Sequence, residues 1–138
     1  VYRNEQSGEV NGLLRARGFM QDDGHVLLRH DQLKAEIHIM IDMAKNVMSQ
    51  LGLNNYQFRV GLRDESSEYL GDDSVWNDAE NALRHACNAA DIEYIESKGD
   101  AAFYGPKLDL VVIDRLGREW QMGTIQVDFQ LPQLFDLS

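Results

Sequence analysis

The sequence has 138 residues, enough for one domain, and contains no apolar run near the roughly 20 residues that a membrane-spanning helix needs. Its 23 acidic and 13 basic side chains give a net charge of −10, which opposes a stand-alone nucleic-acid binder because phosphate contacts need clustered Lys and Arg. A single cysteine excludes an internal disulfide, and no basic-then-apolar leader supports secretion, so we expect a cytoplasmic protein.

The first thirty residues predict a hairpin with two extended arms. Residues 1–5 and 13–19 are typical of antiparallel strands joined by a polar turn over residues 8–12, and residues 26–28 of a third short strand. Four arginines in this segment predict a local cationic patch on an acidic chain: Arg3, Arg15, Arg17 and Arg29.

The side chains of this hairpin suit a purine nucleoside triphosphate. Arg3 and Arg15 offer planar guanidinium groups that match phosphate or carboxylate oxygens. Glu5 can accept a hydrogen bond from an amino group, and Phe19 can stack on a ring. Charged strand residues usually face water, however, so the hairpin alone favours solvated arginines and a core Phe19 over a nucleotide site.

The hairpin ends in the sequence Gln21-Asp22-Asp23-Gly24-His25. Two adjacent acids followed by Gly and His resemble a metal-ligand or amine-binding corner, because imidazole suits Zn²⁺. The other histidines lie on or at the start of predicted helices and the single cysteine is predicted to be buried, so no second ligand has a plausible spacing. A lone histidine is more often structural, and the residues alone favour that alternative.

Residues 31–51 predict the clearest helix. Its apolar residues recur every three or four positions and form one stripe: Leu33, Ile37, Met40, Ile41, Ala44, Val47, Met48 and Leu51. Asp31 is placed to cap the start of this helix, and Gly52 stands where a left-handed C-terminal residue is needed.

The middle of the chain predicts a strand, a loop, a helix and a second strand. Residues 56–62 alternate as a half-buried strand, residues 64–73 form a polar loop, and residues 92–95 form a short strand. The helix, over residues 74–90, turns six side chains inward: Val75, Trp76, Ala79, Leu83, Ala86 and Cys87.

The last third of the chain predicts a hairpin, with strands over residues 107–114 and 119–129 and a turn over residues 115–118. The sequence has no repeats and no regular strand-helix-strand alternation. We therefore expect residues 1–138 to form a single domain of the α+β class, an antiparallel sheet with packed helices.

Two features near this hairpin suggest a cleft. Tyr104 and Lys107 flank a Gly-Pro bend where a side chain can reach a cavity, although an ordinary turn is the alternative. In the last strand, strict alternation places Gln121 on one face and Thr124 and Gln126 on the other. Polar residues on both faces of a central strand are unusual unless one face lines a cavity.

Four segments, in order across nearly the whole chain, resemble the catalytic core of the threonyl-tRNA synthetases, a family of class II aminoacyl-tRNA synthetases: VYRNEQSG, GLLRARGFMQDDGH, AFYGPKLDL and WQMGTIQVDFQLP. The first two together resemble the class II motif 2 hairpin. Seryl and prolyl relatives share the arginine-glutamate hairpin but lack the Gln-Asp-Asp-x-His ending, so the resemblance is specific to the threonine enzymes.

The resemblance implies ATP-dependent activation of threonine and its transfer to tRNA(Thr), with Mg²⁺ and Zn²⁺ as cofactors and a homodimer for the full-length enzyme. The implied catalytic residues are Arg3, Lys107 and Gln126. The implied ATP-binding residues are Arg3, Glu5, Arg15, Phe19, Gln121 and Thr124. The implied threonine-binding residues are Gln21, Asp23 and Tyr104. His25 would be one of three zinc ligands.

The chain also departs from the family. The resemblance places the other two zinc ligands, the dimer-forming motif 1, the arginine of motif 3 and the anticodon-binding domain outside this segment. The first residue is Val1 rather than Met, and we expect a part of the core that needs its flanking parts for activity. Met122 stands where relatives usually carry Cys, and residues 61–64 read Gly-Leu-Arg-Asp in place of Ser-Thr-Arg-Pro.

Hypotheses from different classes therefore stay open. One is a segment of a threonine-tRNA ligase, without a membrane partner. Another is a non-catalytic, synthetase-like module that binds a nucleotide or a protein, which the acidic charge and the missing parts motivate. A third is a metal-binding or nucleotide-sensing domain.

Overall fold

The computed structural model of the protein describes residues 1–65 and 69–137. After a short 3₁₀ helix, His30–Gln32, these residues form α1 (Leu33–Gln50), β1 (Tyr56–Leu62), α2 (Asp73–Ala89), β2 (Tyr94–Lys98), β3 (Lys107–Ile113), β4 (Glu119–Gln126) and α3 (Leu131–Leu134). The predicted α+β class is confirmed. Within the described part of the chain, the structure has no helix with the length and apolar character to cross a membrane.

The four strands form one sheet in the order β2-β1-β3-β4. The pairs β1–β3 and β3–β4 are antiparallel, as predicted. The pair β1–β2 is parallel, so the sheet is mixed and the expected antiparallel pairing does not extend to this edge. The reason is α2, which carries the chain back across the sheet so that β2 runs in the same direction as β1.

The hydrophobic core lies between one face of the sheet and the helices α1 and α2. The strands contribute Phe58, Val60, Leu62, Leu108 and Leu110, α1 contributes Leu33, Ile37, Ile41 and Met48, and α2 contributes Ala79, Leu83, Ala86 and Cys87. The predicted inward faces of both helices are thereby confirmed in their main positions, although Val47 and Leu51 of the α1 stripe are exposed. Because side chains alternate along a strand, the other sheet face carries the polar residues of β1, β3 and β4.

The start of α1 differs from the prediction, whereas its end agrees with it. Asp31 does not cap the helix, because its carboxylate accepts two hydrogen bonds from the Arg29 guanidinium, at 3.0 and 3.1 Å. The cap position belongs to Gln32. At the other end, Gly52 has a φ of 68°, the predicted left-handed conformation.

The hairpin at the N-terminus forms, but its arms are not regular strands. The arms are antiparallel: the Arg3 amide donates to the Arg17 carbonyl at 2.9 Å, and the Phe19 amide donates to the Val1 carbonyl at 3.1 Å. Only isolated bridges join them, and residues 26–28 form no strand, so the three predicted strands here are wrong as regular elements. A two-stranded ribbon without a covering layer cannot sustain a regular ladder, and residues of its turn are exposed.

The hairpin at the C-terminal end is confirmed as β3 and β4. β4 ends at Gln126, earlier than predicted, because the Asp128 carboxylate accepts hydrogen bonds from the amides of Gln130 and Leu131 and starts α3. The predicted loop over residues 64–73 includes residues 66–68, which lie outside the described residues.

Candidate active site

Four of the predicted ATP-binding residues form one cluster on the N-terminal hairpin. The Arg15 guanidinium donates to the Glu5 carboxylate at 3.0 Å, so the two arms are joined by an ion pair. The Arg3 guanidinium lies 5.1 Å from the centre of the Phe19 ring, in a cation–π arrangement. Phe19 is half-buried and not part of the apolar core.

The charges of this cluster hold one another in the ionised state. The Arg15 hydrogen bond and the nearby positive charges outweigh desolvation and lower the pKa of the Glu5 carboxyl. The same contact raises the pKa of Arg15. Ion pairs near the surface are weak because water screens them, so both groups can exchange this contact for contacts to a ligand.

The corner after the hairpin brings Asp23 and His25 together. Their closest atoms, Oδ2 and Nε2, are 3.9 Å apart, and both side chains are exposed. Within residues 1–65 and 69–137, no three His, Cys, Asp or Glu side chains are grouped so that they could hold a metal ion. His25 therefore offers one imidazole nitrogen and not a zinc site, and a complete site would need ligands from elsewhere.

The polar face of the sheet collects the predicted residues of β3 and β4. Lys107 pairs in register with Gln126, and Asp109 pairs with Thr124. Beyond this point a β-bulge shifts the register between Leu110 and Val111, and Gln121 pairs with Val111. Directly paired residues point to the same face, so the bulge brings Gln121 onto the face of Thr124 and Gln126.

This arrangement corrects the face assignment made from the sequence. Strict alternation placed Gln121 opposite to Thr124 and Gln126, which left polar residues on both faces of β4. With the bulge, the three polar side chains share the face away from the helices, and Gly123 and Ile125 lie over the core face. The polar residues of β4 therefore line one surface.

The bend before β3 places Tyr104 against this surface. The Tyr104 hydroxyl donates a hydrogen bond to Gln126 Oε1. Gly105 permits the bend because a Cβ atom there would lie 1.7 Å from the Val127 carbonyl oxygen. Tyr104 and Lys107 therefore both reach the polar face.

Lys107 is held by two carboxylates. Its Nζ lies 2.8 Å from Asp109 Oδ2 and 3.1 Å from Asp100 Oδ1. Burial opposes the positive charge, but the hydrogen bonds to Asp109 and Asp100 outweigh it and raise the pKa of Lys107. The stem of Lys107 crosses Gly61, where an added Cβ would lie 2.9 Å from Lys107 Cγ.

Asp109 and Asp100 are site residues that sequence reasoning missed. Asp109 is only 1% exposed, and its Oδ1 accepts a hydrogen bond from Gln121 Nε2 at 3.0 Å. The signal was present in the sequence, because Asp109 is a charged residue in the middle of the apolar strand Leu-Asp-Leu-Val-Val. A buried acid in such a strand requires partners on the same face.

One observation connects the hairpin corner with the sheet. Burial raises the pKa of the Tyr104 hydroxyl first, and the Asp128 and Asp23 carboxylates add to the shift. The Asp23 carboxylate therefore acts electrostatically on the Tyr104 hydroxyl. Gln21 is exposed. Among the described residues, no hydrogen bond or ion pair joins the charged hairpin residues Arg3, Glu5 and Arg15 to the strand residues.

Comparison with known proteins identifies relatives over the whole chain. The sequence profile of the family described as "tRNA synthetase class II core domain (G, H, P, S and T)" matches residues 1–138. A threonine–tRNA ligase from Deinococcus deserti is 55% identical over 139 aligned positions, and one from Thermus thermophilus is 49% identical. Each alignment covers 100% of this chain and 21% of the relative, so the chain spans about a fifth of the length of these curated relatives.

Solved structures give the same result. The chain is similar to a structure described as the RNA binding domain of threonyl-tRNA synthetase from Cryptosporidium parvum, with a TM-score of 0.88 and 42% identity over 99% of this chain and 34% of the other. A putative threonyl-tRNA synthetase from Aeropyrum pernix gives a TM-score of 0.84 and 38% identity, over 99% of this chain and 33% of the other.

Proposed function

The chain belongs to the class II tRNA synthetase core domain family, and we propose that it forms part of the catalytic core of a threonine–tRNA ligase. The observation that carries this proposal is the match of the entire chain to threonine–tRNA ligases at 49–55% identity. In the proposed reaction, an oxygen of the threonine carboxylate attacks the α-phosphorus of ATP and pyrophosphate leaves. The threonyl group of the adenylate is then transferred to a terminal ribose hydroxyl of tRNA(Thr), and AMP leaves.

The hairpin cluster is the proposed site of ATP. Arg3 balances the negative charge that develops at the α-phosphate, and Arg15 binds the outer phosphates. Glu5 accepts a hydrogen bond from the adenine amino group, and Phe19 stacks on the adenine ring. The close spacing of these four side chains supports this assignment, because adenine and the phosphates of one nucleotide lie within such a distance.

The polar sheet face is the proposed site of the ribose and of the adenylate. Gln121 and Thr124 contact ATP, and Gln126 and Lys107 lie near the reacting groups. Lys107 acts as a fixed positive charge and not as a base, because its raised pKa keeps it protonated at neutral pH. Such chemistry depends on positioning and charge stabilisation more than on proton transfer.

The corner near Tyr104 is the proposed site of threonine. Asp23 accepts a hydrogen bond from the threonine hydroxyl, and Gln21 and Tyr104 hold the rest of the amino acid. The raised pKa of Tyr104 keeps its hydroxyl protonated, so the hydroxyl can keep its hydrogen bond to Gln126 Oε1 and present its oxygen as an acceptor to the threonine ammonium group. Valine lacks a hydroxyl and cannot make the hydrogen bond to Asp23, which gives a physical basis for its rejection.

Metal ions and partners are proposed for the longer protein. We propose Mg²⁺ with the nucleotide and Zn²⁺ at His25, but the described residues do not form a complete zinc site, so we derive no step from it. We also propose a homodimer and a cytoplasmic location for the longer protein. Because this segment is acidic, parts of the protein outside it would make most of the contacts to tRNA(Thr).

ATP–pyrophosphate exchange tests the proposal. In the full-length gene product, Arg3→Ala should reduce threonine-dependent exchange by about 100-fold or more, because a charge-stabilising group at the phosphate is lost. Arg29→Ala is the matched control, since Arg29 is also in the N-terminal segment but pairs with Asp31. Absence of exchange in the unmodified protein would overturn the proposal and favour a non-catalytic module. Exchange that survives Arg3→Ala would refute the role of Arg3.

A further inference from the structure

We propose that Asp109 is a positioning residue that orients Lys107 and Gln121 from beneath the polar sheet face. The inference rests on the proposed function, because it concerns the reaction of that same site. Asp109 itself does not touch substrate in this proposal. It acts through the two side chains that do.

The geometry assigns each carboxylate oxygen of Asp109 to a different partner. Oδ2 lies 2.8 Å from Lys107 Nζ, and Oδ1 accepts from Gln121 Nε2 at 3.0 Å. Asp109 is 1% exposed, so water cannot satisfy these oxygens. A buried carboxylate is costly unless it is paired and hydrogen-bonded, so the two partners are held firmly in place.

The contact with Asp109 fixes which end of the Gln121 amide faces outward. An ionised carboxylate only accepts hydrogen bonds, so the amide must turn its Nε2 group toward Asp109. Its Oε1 is then free to accept a hydrogen bond from a ligand hydroxyl or amino group. A ribose hydroxyl or an amino group is the chemistry that this acceptor recognises.

The same contact limits the freedom of Lys107. An ammonium group has three N–H donors, and Asp109 and Asp100 take two of them. One donor remains for a ligand oxygen. The stem of Lys107 lies over Gly61, where a Cβ would be 2.9 Å from Lys107 Cγ and 2.7 Å from the Asp100 carbonyl oxygen. Asp109, Asp100 and the backbone at Gly61 therefore fix the direction of the remaining N–H donor.

Kinetics of the full-length gene product test this positioning role. Asp109→Asn removes the charge at nearly constant shape, and we expect it to reduce kcat/KM for ATP in threonine-dependent exchange by on the order of 10- to 100-fold. The KM for threonine should stay within about twofold, because Asp23 and Tyr104 are unchanged. Asp109→Glu keeps the charge and should recover part of the loss.

A double-mutant comparison separates positioning from a general structural effect. In a Lys107→Met/Gln121→Ala background, Asp109→Asn should lower kcat/KM for ATP by less than about twofold, because the side chains through which Asp109 acts are gone. An equal loss in both backgrounds would overturn the proposal. Glu80→Gln is the matched control: Glu80 is also buried, at 8% exposure, but it lies on α2, which packs on the opposite sheet face, and accepts a hydrogen bond from the Arg63 amide, so exchange kinetics should not change.

A second readout does not depend on activity. Asp109→Asn should increase the rate at which an amine-acylating reagent modifies Lys107, measured by mass spectrometry, because the closer of its two ion pairs is lost and only Asp100 still holds the ammonium group. Glu80→Gln should not change this rate. Unchanged Lys107 reactivity in Asp109→Asn would overturn the inference even if the gene product lacks exchange, whereas absent exchange with increased reactivity would refute only the proposed function.

Discussion

At the scale of single residues, Lys107 shows how the fold sets the chemistry of one side chain. It is largely buried, with 14% of its side chain exposed, and two carboxylates surround its ammonium group. Desolvation alone would lower its pKa, but the hydrogen bonds raise it. The position was predicted from the Gly-Pro bend, whereas its partners were overlooked. Asp109 follows two residues later on the same strand face, and Asp100 lies in the loop before β3, where no periodicity relates it to Lys107.

The raised pKa of Lys107 predicts how stability depends on pH. A group with a raised folded-state pKa contributes stability below its ordinary value of 10.5, and the contribution is lost as pH rises through the folded value. Lys107→Met should therefore lower the free energy of unfolding by about 3–5 kcal/mol near neutral pH, because Asp109 stays buried without its ion pair.

Urea unfolding across the alkaline range measures this effect. The difference between the original protein and Lys107→Met should narrow above pH 10.5, as the original protein loses the same charge. Lys98→Met is a suitable control, because Lys98 is exposed at the end of β2 and its replacement should have little effect. A difference that stays constant to the highest pH at which the protein folds would contradict the prediction.

At the scale of elements, the β3–β4 hairpin decides which side chains share a surface. Its two strands and its turn were predicted from alternation and from the Arg-Leu-Gly-Arg sequence. The bulge was not predicted, because strict alternation was assumed along the whole strand, whereas one extra residue moves every side chain beyond it to the other face. Polar residues on both faces of β4 were the available signal. A bulge resolves that conflict by moving Gln121.

Asp114 anchors the turn of this hairpin. Its Oδ1 accepts hydrogen bonds from the amides of Leu116 and Arg118, at 2.8 and 2.9 Å. Its Oδ2 accepts from Trp120 Nε1 at 3.0 Å and from Arg118 Nε at 2.7 Å. The hydrogen bond from Trp120, followed by the backbone bond from Arg118, lowers the pKa of Asp114. The ionised carboxylate therefore stabilises the turn above its ordinary pKa of 3.8, and this contribution is lost as pH falls.

Replacement of Asp114 should loosen the turn without unfolding the sheet. We expect Asp114→Ala to accelerate amide hydrogen exchange in residues 115–120 several-fold at neutral pH, because two amide protons lose their acceptor. Exchange mass spectrometry with Asp78→Ala as control, an exposed position on α2, measures this. Exchange rates equal to those of the original protein would show that the turn holds without the carboxylate.

At the scale of the whole molecule, the sheet separates two environments. One face packs on α1 and α2 and is apolar, and the other carries Arg59, Lys107, Asp109 and the polar residues of β4. The helix stripes and the strand alternation were enough to predict the apolar side. The parallel β1–β2 pair was missed because a single strand-helix-strand unit, with its short second strand, gives too weak a pattern against two hairpins.

The apolar side should supply most of the stability of this chain. Leu83 lies at the centre of α2, is 0% exposed, and belongs to the cluster that joins both helices with the sheet. Leu83→Ala should lower the free energy of unfolding by about 2–5 kcal/mol, since the deleted atoms lose their burial and leave a cavity that the surroundings fill only in part. Urea unfolding provides the measurement.

Leu116→Ala is the matched control for this prediction. It removes the same atoms from a residue that is 76% exposed in the β3–β4 turn, so its cost should stay within about 0.5 kcal/mol. Equal effects of the two substitutions would mean that α2 does not pack against the sheet as described. Loss of packing at Leu83 should also disturb the side-chain positions on the polar face. The strands β1 and β3 contribute residues both to the core and to the surface that carries Lys107 and Asp109. If the core were lost, the strands would no longer hold Lys107 and Asp109 next to each other.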